Sequence, residues 1–268
     1  MRTDCFILRR NLEIPYYSCR AFESLPWLRH GFSTRWSGDE RITDSATLNT
    51  TNSINENLRL MVSALGLKNT EIVSLNQIHS NRVHAVKSDG SFEMENYEGD
   101  GLITNIENVA LAIKTADCFP VLIVDPIHKA ICAVHSGWRG TLSRVLPGAI
   151  EEMVGQYRSD PARLMAAIGP GIRECCFEVG EEVARLFKEA YPGVSTARPH
   201  PDVPGKYLVD IGGVLRTQLA QSGVPPKNHY DSGMCTCCNT REFFSWRAEG
   251  AAAGRMISVI ALGSVHKP

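Results

Sequence analysis

Residues 110–141 read ALAIKTADCFPVLIVDPIHKAICAVHSGWRGT, and this stretch decides the fold. Three apolar runs of four or five residues, at 109–113, 121–124 and 131–134, are separated by short polar segments. This spacing is typical of neighbouring buried strands. Cys118 follows the first run and His135 ends the third, so two residues that bind metals or act as catalytic groups lie at predicted strand ends.

Helical patterns flank these runs. Ser53 and Glu56 have the spacing of a capping box, and apolar residues follow at helical spacing as far as Gly66 (Leu58, Met61, Val62 and Leu65). Residues 141–157 carry a second apolar face, and we expect Pro147 to kink that helix or to reset its start. The sequence therefore predicts the α/β class, as a single mixed-sheet domain over residues 1–268 with flanking helices.

The composition limits the classes of function. The chain has 268 residues, 43% of them hydrophobic, and a formal net charge of −1, which gives no long-range attraction to nucleic acid or to an anionic membrane. No apolar run approaches the ~18 residues of a spanning helix and no N-terminal segment has the pattern of a signal peptide, so we expect a cytoplasmic protein. Nine irregularly spaced cysteines indicate reduced thiols rather than a disulfide framework.

Several polar side chains outside the apolar runs are candidate site residues. His79 follows a predicted strand, and Asp100 lies between two glycines that permit a sharp turn. Arg35 leads into a polar loop over residues 37–47 and is a candidate anion contact. Arg139 lies in a glycine-containing turn at a predicted helix N-terminus, where free N–H groups favour phosphate. A solvated arginine, a capping histidine and an ordinary turn aspartate are the plain structural alternatives.

Three of these residues suggest a metal site. His79, Cys118 and His135 supply three nitrogen or sulfur ligands with no obvious fourth, which is the pattern of a catalytic zinc with one position open to water or substrate. Copper also accepts this ligand set. The same atoms fit a cysteine hydrolase, with Cys118 as nucleophile, a histidine as base and Asp100 or Asp117 as the orienting carboxylate. The residues alone leave both interpretations open, beside a purely structural one.

The remaining cysteines give a weaker signal. Cys235 and Cys238 have the C-x-x-C spacing of zinc and redox sites, but no second pair or nearby histidine completes a zinc set. Cys175 and Cys176 are adjacent, and adjacent cysteines do not readily share one tetrahedral metal. We interpret the adjacent pair as packing residues, and the role of Cys235, Cys237 and Cys238 stays open.

Several separate motifs carry a resemblance to a known family. They are NQIH (76–79), GDGLIT (99–104), TADCFP (115–120), VHSGWRG (134–140), AIGP (167–170), FEVG (177–180), FFS (243–245) and GR (254–255). In this order, between Gly31 and Leu262, they resemble the YfiH-type family. That family has long been labelled laccase-domain or polyphenol oxidoreductase, and later purine nucleoside phosphorylase.

The resemblance implies a zinc site made by His79, Cys118 and His135. It also implies an enzyme that converts adenosine, inosine, guanosine and methylthioadenosine, with phosphate, to the free base and ribose 1-phosphate, and that deaminates adenosine. Purine nucleosides and phosphate are then the expected partners. A copper-dependent, laccase-like polyphenol oxidoreductase is the first alternative, although none of the eight histidines stands in a His-x-His pair. A Cys–His hydrolase or a cell-wall editing factor is the second.

The two reactions that the resemblance implies make different demands on the protein. Deamination requires an activated water, whereas phosphorolysis requires an anion held beneath the sugar carbon C1′ while the purine leaves. Arg139 and Arg255 are therefore the expected phosphate or substrate contacts, with Arg35 behind them. Asp100 is expected to orient a ligand histidine or to meet a nucleoside hydroxyl.

Overall fold

Strands form the greater part of the regular structure. The computed structural model describes residues 5–10, 14–37, 40–41, 51–87 and 97–263. Within these residues the strands are β1 (Phe6–Arg9), β2 (Tyr16–Cys19), β3 (Leu28–Ser33), β4 (Trp36–Ser37), β5 (Glu40–Arg41), β6 (Glu71–Ser74), β7 (Val83–Ala85), β8 (Gly101–Thr104), β9 (Val109–Thr115), β10 (Phe119–Asp125), β11 (Ala130–Ser136), β12 (Met165–Ile168), β13 (Glu178–Gly180), β14 (Ala197–Pro199), β15 (Lys206–Val209), β16 (His229–Asp231) and β17 (Met256–Leu262). The helices are α1 (Thr51–Ala64), α2 (Trp138–Leu142), α3 (Val145–Tyr157), α4 (Glu181–Ala190), α5 (Ile211–Gln221) and α6 (Trp246–Glu249).

The three central apolar runs form β9, β10 and β11, which are buried along nearly their whole length. β10 and β11 are an antiparallel hairpin in which Pro120 pairs with His135. The expectation that all three runs are neighbours is wrong for β9, which pairs with β17 and β6 in a different sheet. The chain passes between the sheets over residues 116–118, where Asp117 adopts a left-handed backbone with φ 80°. The sequence of a strand that is buried on both faces does not indicate which of two sheets the strand joins.

Two six-stranded sheets organise the described chain. Their strand orders are β1-β2-β3-β17-β9-β6 and β16-β12-β10-β11-β8-β7. Each is mixed, because β6 runs parallel to β9 in the first, and β7 to β8 and β12 to β16 in the second, among otherwise antiparallel pairs. The predicted class, α/β with mixed sheet and flanking helices, is confirmed. A small sheet, β13-β15-β14, and the pair β4-β5 complete the strands.

The sheets and helices stack as four layers. One apolar cluster fills the space between the two sheets, with members such as Leu111 and Ile260 from the first and Leu122 and Ala167 from the second. A second cluster packs the outer face of the β10–β11 sheet on helices α3 and α5, and a third packs the outer face of the other sheet on α1. Burial of both sheet faces explains why β9, β10, β11 and β17 are almost wholly apolar.

The helices agree with the sequence in position but differ in their bounds. Three of the four predicted apolar residues are buried in α1 and the fourth, Leu65, is buried directly after its end; Gly66 follows, whose φ of +70° suits a residue without a side chain. The side chains of the predicted capping box, 53–56, and most of the polar loop over 37–47 lie outside the described residues. None of the helices in the described part of the chain has the length and apolar character that a bilayer crossing requires.

The predicted helix over 141–157 is two helices. α2 ends at Leu142 and α3 begins at Val145, and between them Arg144 has a left-handed backbone with φ 63°. Pro147 lies in the first turn of α3, where its missing N–H leaves no helical hydrogen bond unmade. Pro147 therefore resets the start of the helix, which is one of the two outcomes expected, and α2 begins earlier than predicted, at Trp138.

Candidate metal centre and adjoining cleft

The fold brings His79, Cys118 and His135 together. His135 is the penultimate residue of β11, Cys118 immediately precedes β10, and His79 lies in the loop after β6. One ligand atom from each residue lies within 4.8 Å of the other two, and the imidazole centroids are 4.9 Å apart. His79 has a left-handed backbone with φ 59°, as does Asp117 next to Cys118. One candidate ligand and the chain neighbour of a second thus have unusual backbone conformations, which are typical of functional sites.

Asp100 forms hydrogen bonds with two of the three candidate ligands. Its carboxylate is fully buried, and one oxygen lies 2.7 Å from His135 Nδ1 and accepts a hydrogen bond from the His79 backbone N–H at 3.0 Å. The other oxygen accepts from the N–H and the hydroxyl of Ser80. Burial alone would raise the pKa of Asp100, but the His135 and Ser80 hydrogen bonds outweigh it and lower the pKa. An ionised Asp100 fixes the proton on His135 Nδ1 and leaves Nε2 as the free ring nitrogen.

Cys118 is disposed to ionise. Burial by itself would raise the pKa of its thiol, but the neighbouring His135 and His79 outweigh burial and lower the pKa to about 6. Burial would correspondingly lower the pKa of His135, whereas the Cys118 thiolate and the Asp100 carboxylate raise it to about 9. Without a metal, both shifts favour the thiolate form of Cys118 and the imidazolium form of His135. The thiolate is the form of cysteine that both binds metal and acts as a nucleophile.

Gly137 closes one side of the ligand group. A Cβ at this position would lie 2.8 Å from Cys118 Sγ and 2.9 Å from His79 Nδ1, which is closer than non-bonded atoms approach. The glycine therefore lets the backbone after β11 lie directly against two ligand atoms. A side chain here would displace them.

The donor set fits a metal ion. It combines one thiolate with two imidazoles. The His135 ring is oriented by the hydrogen bond between its Nδ1 and the Asp100 carboxylate, as is usual for metal-binding histidines. Since three ligands leave a tetrahedral ion one open position, the residues are suited to a catalytic rather than a closed structural ion. Zinc and copper are the first-row metals that this mixture of ligands favours.

A cleft of about 630 Å³ opens onto the three ligands. Its polar lining includes Asn76 and Gln77 and three cationic side chains, Lys114, Arg247 and Arg255. Its apolar lining includes three aromatic side chains from separate segments (Trp138, Phe177 and Trp246), beside aliphatic residues. The volume and the combination of aromatic walls with convergent polar groups are those of a small-molecule site.

Comparison with known proteins identifies the family. Residues 29–263 match the family described as multi-copper polyphenol oxidoreductase laccase. The chain belongs to this laccase family. The purine nucleoside phosphorylase of Deinococcus radiodurans is 35% identical over 244 residues, which cover 87% of this chain and 88% of that protein. Adenosine deaminase RL5, from an unknown prokaryotic organism, is 34% identical over 202 residues, covering 73% of this chain and 77% of that protein.

Solved structures of this laccase family share the fold. The crystal structure of YlmD from Geobacillus stearothermophilus has a TM-score of 0.83 and 26% identity, and the match covers 97% of this chain and 100% of that one. The chain spans 55% of the length of the mouse and human proteins named purine nucleoside phosphorylase LACC1. The family resemblance read from the sequence motifs is thereby confirmed.

The predicted substrate contacts fall in different places in this laccase-family chain. Arg255 lines the cleft, where the charges of Cys118 and Asp117 act on it. Arg139 is exposed and is not among the cleft-lining residues, and its guanidinium stacks 4.1 Å from the centroid of the Trp138 ring. Arg35 is also not in the cleft lining.

Arg35 is held in the interior instead. It is 3% exposed, and its guanidinium donates to the backbone carbonyl of Thr240 and to the Glu249 carboxylate, both at 2.7 Å. Its ring contact is with Phe244, at 4.5 Å from the centroid. Arg35 therefore ties the segment after β3 to the segments around α6, which is a structural task rather than the anion contact that the sequence suggested.

Two groups of residues around the site were missed by the sequence reasoning. The first consists of Lys114 and the aromatic cleft residues Trp138, Phe177 and Trp246. Lys114 is the one charged residue in the apolar strand β9, and a charge in a buried strand could have indicated a functional position. The second supports the loop before β10. Asp117 accepts hydrogen bonds at 2.6 Å from the Thr236 hydroxyl and from the backbone N–H of Arg247. The Cys–His hydrolase interpretation offered Asp117 as a carboxylate that orients the histidine. The structure does not place it there, because its two oxygens accept from Thr236 and Arg247 and not from a histidine.

The expectation that Cys175 and Cys176 are packing residues holds for Cys176, which lies against the apolar core, but not for Cys175, which is exposed. Cys175, Cys176, Cys235 and Cys238 offer four sulfur atoms within 4.8 Å of one another. Cys175 and Cys176 thus supply the additional sulfur atoms that Cys235 and Cys238 lack in their own part of the sequence. The two pairs are about 60 residues apart in sequence, and only the folded chain brings them into contact.

Proposed function

We propose that the protein is a zinc-dependent purine nucleoside phosphorylase that also deaminates adenosine. One observation carries the proposal: the three candidate metal ligands and the cationic pair Lys114 and Arg255 line a single cleft with aromatic walls. The relatives named purine nucleoside phosphorylase and adenosine deaminase support both activities. Adenosine, inosine, guanosine and methylthioadenosine are the proposed substrates. The family match over residues 29–263 supports the further proposal that residues 1–268 form one domain.

Lys114 and Arg255 are the proposed phosphate contacts. Arg255 directly precedes β17, and Lys114 pairs with Ile257 on that strand, so the two side chains come from adjoining strands. Burial and the Arg255 charge lower the pKa of Lys114, and burial lowers the pKa of Arg255. Two crowded, half-buried positive charges are relieved by a bound anion. Phosphate held here supplies the oxygen nucleophile that forms the bond to C1′ of the ribose as the bond from C1′ to the purine nitrogen breaks and the purine leaves with its electron pair.

The aromatic walls are the proposed base-binding surface. Trp138 and Trp246 line a cleft whose volume suits a nucleoside, and purine rings stack on aromatic side chains at about 1–3 kcal/mol per base. Gln77 is fixed beside them, because its amide donates to the Lys114 carbonyl and accepts from the Lys114 N–H, each at 2.8 Å. The base is thereby oriented while the glycosidic bond breaks.

His79, Cys118 and His135 are the residues that would hold zinc. When bound, zinc supplies Lewis-acid polarisation and lowers the pKa of a water, which deamination of the adenine ring requires. The chain's own contribution is orientation: Asp100 holds His135 by Nδ1 and positions His79 through its backbone N–H. Gly137 keeps the adjoining backbone out of the ligand group.

The proposal is tested by incubating adenosine with zinc-loaded protein, with and without inorganic phosphate, and separating the products by chromatography. We expect adenine and ribose 1-phosphate only with phosphate, and inosine under both conditions. Cys118→Ala removes a ligand and should abolish both products, whereas Cys5→Ala, a cysteine outside both sulfur-containing ligand groups, should retain them. Full activity of Cys118→Ala would contradict the proposal.

A Cys–His hydrolase is the second candidate, and one observation favours it. Cys118, His135 and Asp100 form a thiolate, imidazole and carboxylate series, with His135 Nδ1 2.7 Å from Asp100. Iodoacetamide labelling distinguishes the two functions. A metal ligand is protected from alkylation when zinc is present, whereas a free nucleophile reacts equally with and without zinc.

A further inference from the structure

Two segments that are distant in sequence bring four thiols together beside the cleft. Cys175 and Cys176 lie in the turn before β13, and Cys235 and Cys238 lie in the loop after β16. The Cys238 sulfur is 3.4 Å from that of Cys175 and 3.3 Å from that of Cys176, and all four sulfurs lie within 4.8 Å of one another. These distances far exceed a disulfide bond of about 2.05 Å. They are close to the edge of a tetrahedron of sulfurs around zinc, which is about 3.8 Å for Zn–S bonds of about 2.3 Å.

The backbone frames this sulfur cluster. Gly171 and Cys235 form a β-bridge, with hydrogen bonds from the Gly171 N–H to the Met234 carbonyl and from the Thr236 N–H to the Gly171 carbonyl. The Arg173 N–H is directed at the Cys235 sulfur at 3.4 Å. A backbone donor to sulfur stabilises the thiolate, the form that binds metal. The two segments are therefore fixed to each other by main-chain contacts, independently of any ion.

We propose that Cys175, Cys176, Cys235 and Cys238 bind a zinc ion that has a structural role. Four thiolates complete a tetrahedral ion and leave no position for substrate, which distinguishes this site from the three-ligand site of the cleft. Four sulfur ligands select a soft or borderline metal over magnesium or calcium. This inference goes beyond the proposed catalytic function and does not depend on it.

The position of the cluster indicates what the ion holds in place. Arg247 donates through its guanidinium to the Cys176 carbonyl at 3.0 Å, and its backbone N–H donates to Asp117. Thr236, next to Cys235, donates to the other oxygen of Asp117. Asp117 precedes Cys118, and Phe177, next to Cys176, lines the cleft. The ion therefore joins two segments that support one cleft wall and the loop carrying a ligand of the catalytic site.

Metal analysis of the purified chain tests the proposal. The protein is expressed with zinc supplied, purified under reducing conditions and analysed by mass spectrometry of the metal. We expect about two zinc ions per chain in the unaltered protein and about one in Cys238→Ser. Cys237→Ser is the matched control, because Cys237 is the chain neighbour of Cys238 but is not one of the four converging thiols. It should retain about two ions per chain. Equal zinc content in Cys238→Ser and the unaltered protein would overturn the proposal.

A second measurement serves if Cys238→Ser fails to fold. His135→Ala removes a ligand of the catalytic site and leaves the four thiols intact, and this variant is refilled with cobalt in place of zinc. We expect about one cobalt per chain, with the intense thiolate-to-metal charge-transfer absorption of several sulfur ligands. Absence of that absorption would overturn the proposal. An intact mass lower by the four hydrogens of two disulfides, with no metal retained, would overturn it equally.

Discussion

Asp100→Asn tests how the buried carboxylate organises the metal ligands. The aspartate receives two interactions at each oxygen: the His79 N–H and His135 Nδ1 at one, and the N–H and hydroxyl of Ser80 at the other. Asparagine has nearly the same shape but only one accepting oxygen and no charge. The variant therefore changes the hydrogen-bond pattern and leaves the volume almost unaltered.

Both orientations of the new amide are costly. If its NH₂ group faces His135, Nδ1 must accept a hydrogen bond, so the proton moves to Nε2, the nitrogen required for the metal, and the His79 N–H loses its acceptor. If the NH₂ group faces Ser80 instead, the Ser80 N–H is left unpaired, and His135 keeps only a neutral acceptor. An unpaired buried group costs about 1–3 kcal/mol, and a lost second-sphere partner weakens metal binding about 10- to 100-fold.

We therefore expect zinc affinity to fall about 10- to 100-fold in Asp100→Asn, which corresponds to about 1.4–2.7 kcal/mol. Competition with a coloured zinc chelator measures this change. Asp125→Asn is the matched control, because Asp125 is also fully buried and lies 2.8 Å from a histidine Nδ1, that of His128, far from the ligand group. Equal zinc affinities of Asp100→Asn and the unaltered protein would refute the assigned role of Asp100.

Four further substitutions have defined outcomes. Gly137→Ala places a methyl group 2.8 Å from Cys118 Sγ, so the purified protein should lose zinc from the catalytic site in metal analysis; full zinc content would refute the close approach. Lys114→Met and Arg255→Met should each raise the KM for phosphate about 10-fold or more while adenosine deamination persists; an unchanged phosphate KM in steady-state kinetics would remove that residue from the phosphate site. Burial lowers the pKa of His30 from 6.5 to about 4, so its contribution to stability is complete above pH 6.5 and is lost as pH falls towards 4. Between pH 6.5 and 4, protonation of His30 in the unfolded chain lowers the free energy of unfolding by up to about 1.4 kcal/mol per pH unit. In urea unfolding, the free energy of unfolding of His30→Gln should therefore depend less steeply on pH than that of the unaltered protein. Equal slopes against pH in the two proteins would contradict this.

The three candidate metal ligands could be selected from the sequence because each follows an apolar run. Cys118 and His135 lie at the ends of strands that the sequence marks by composition alone, and His79 lies after a third. Strand ends place side chains at one edge of a sheet, so chemistry at these positions was expected. The assignment of β9 could not be obtained in the same way. Its apolar run is the same whether it joins the β10–β11 sheet or the sheet that faces it.

The arginines show a different limit. Arg35, Arg139 and Arg255 look alike in sequence, yet one is buried against Glu249, one stacks on Trp138 outside the cleft and one lines the cleft. Direction and burial depend on contacts from distant segments, which local patterns do not contain. The four-thiol cluster was missed for the same reason, because its two pairs are brought together by tertiary contacts such as the bridge between Gly171 and Cys235.

Phosphorus NMR of zinc-loaded protein with adenosine and inorganic phosphate tests the central claim most directly. If Lys114 and Arg255 hold phosphate beneath the nucleoside bound next to the three ligands, the inorganic phosphate signal should decline while a sugar-phosphate ester signal grows in step with the released purine bases, adenine plus hypoxanthine. Release of adenine with no ester signal, which is hydrolysis, would contradict the claim, and so would the absence of both products.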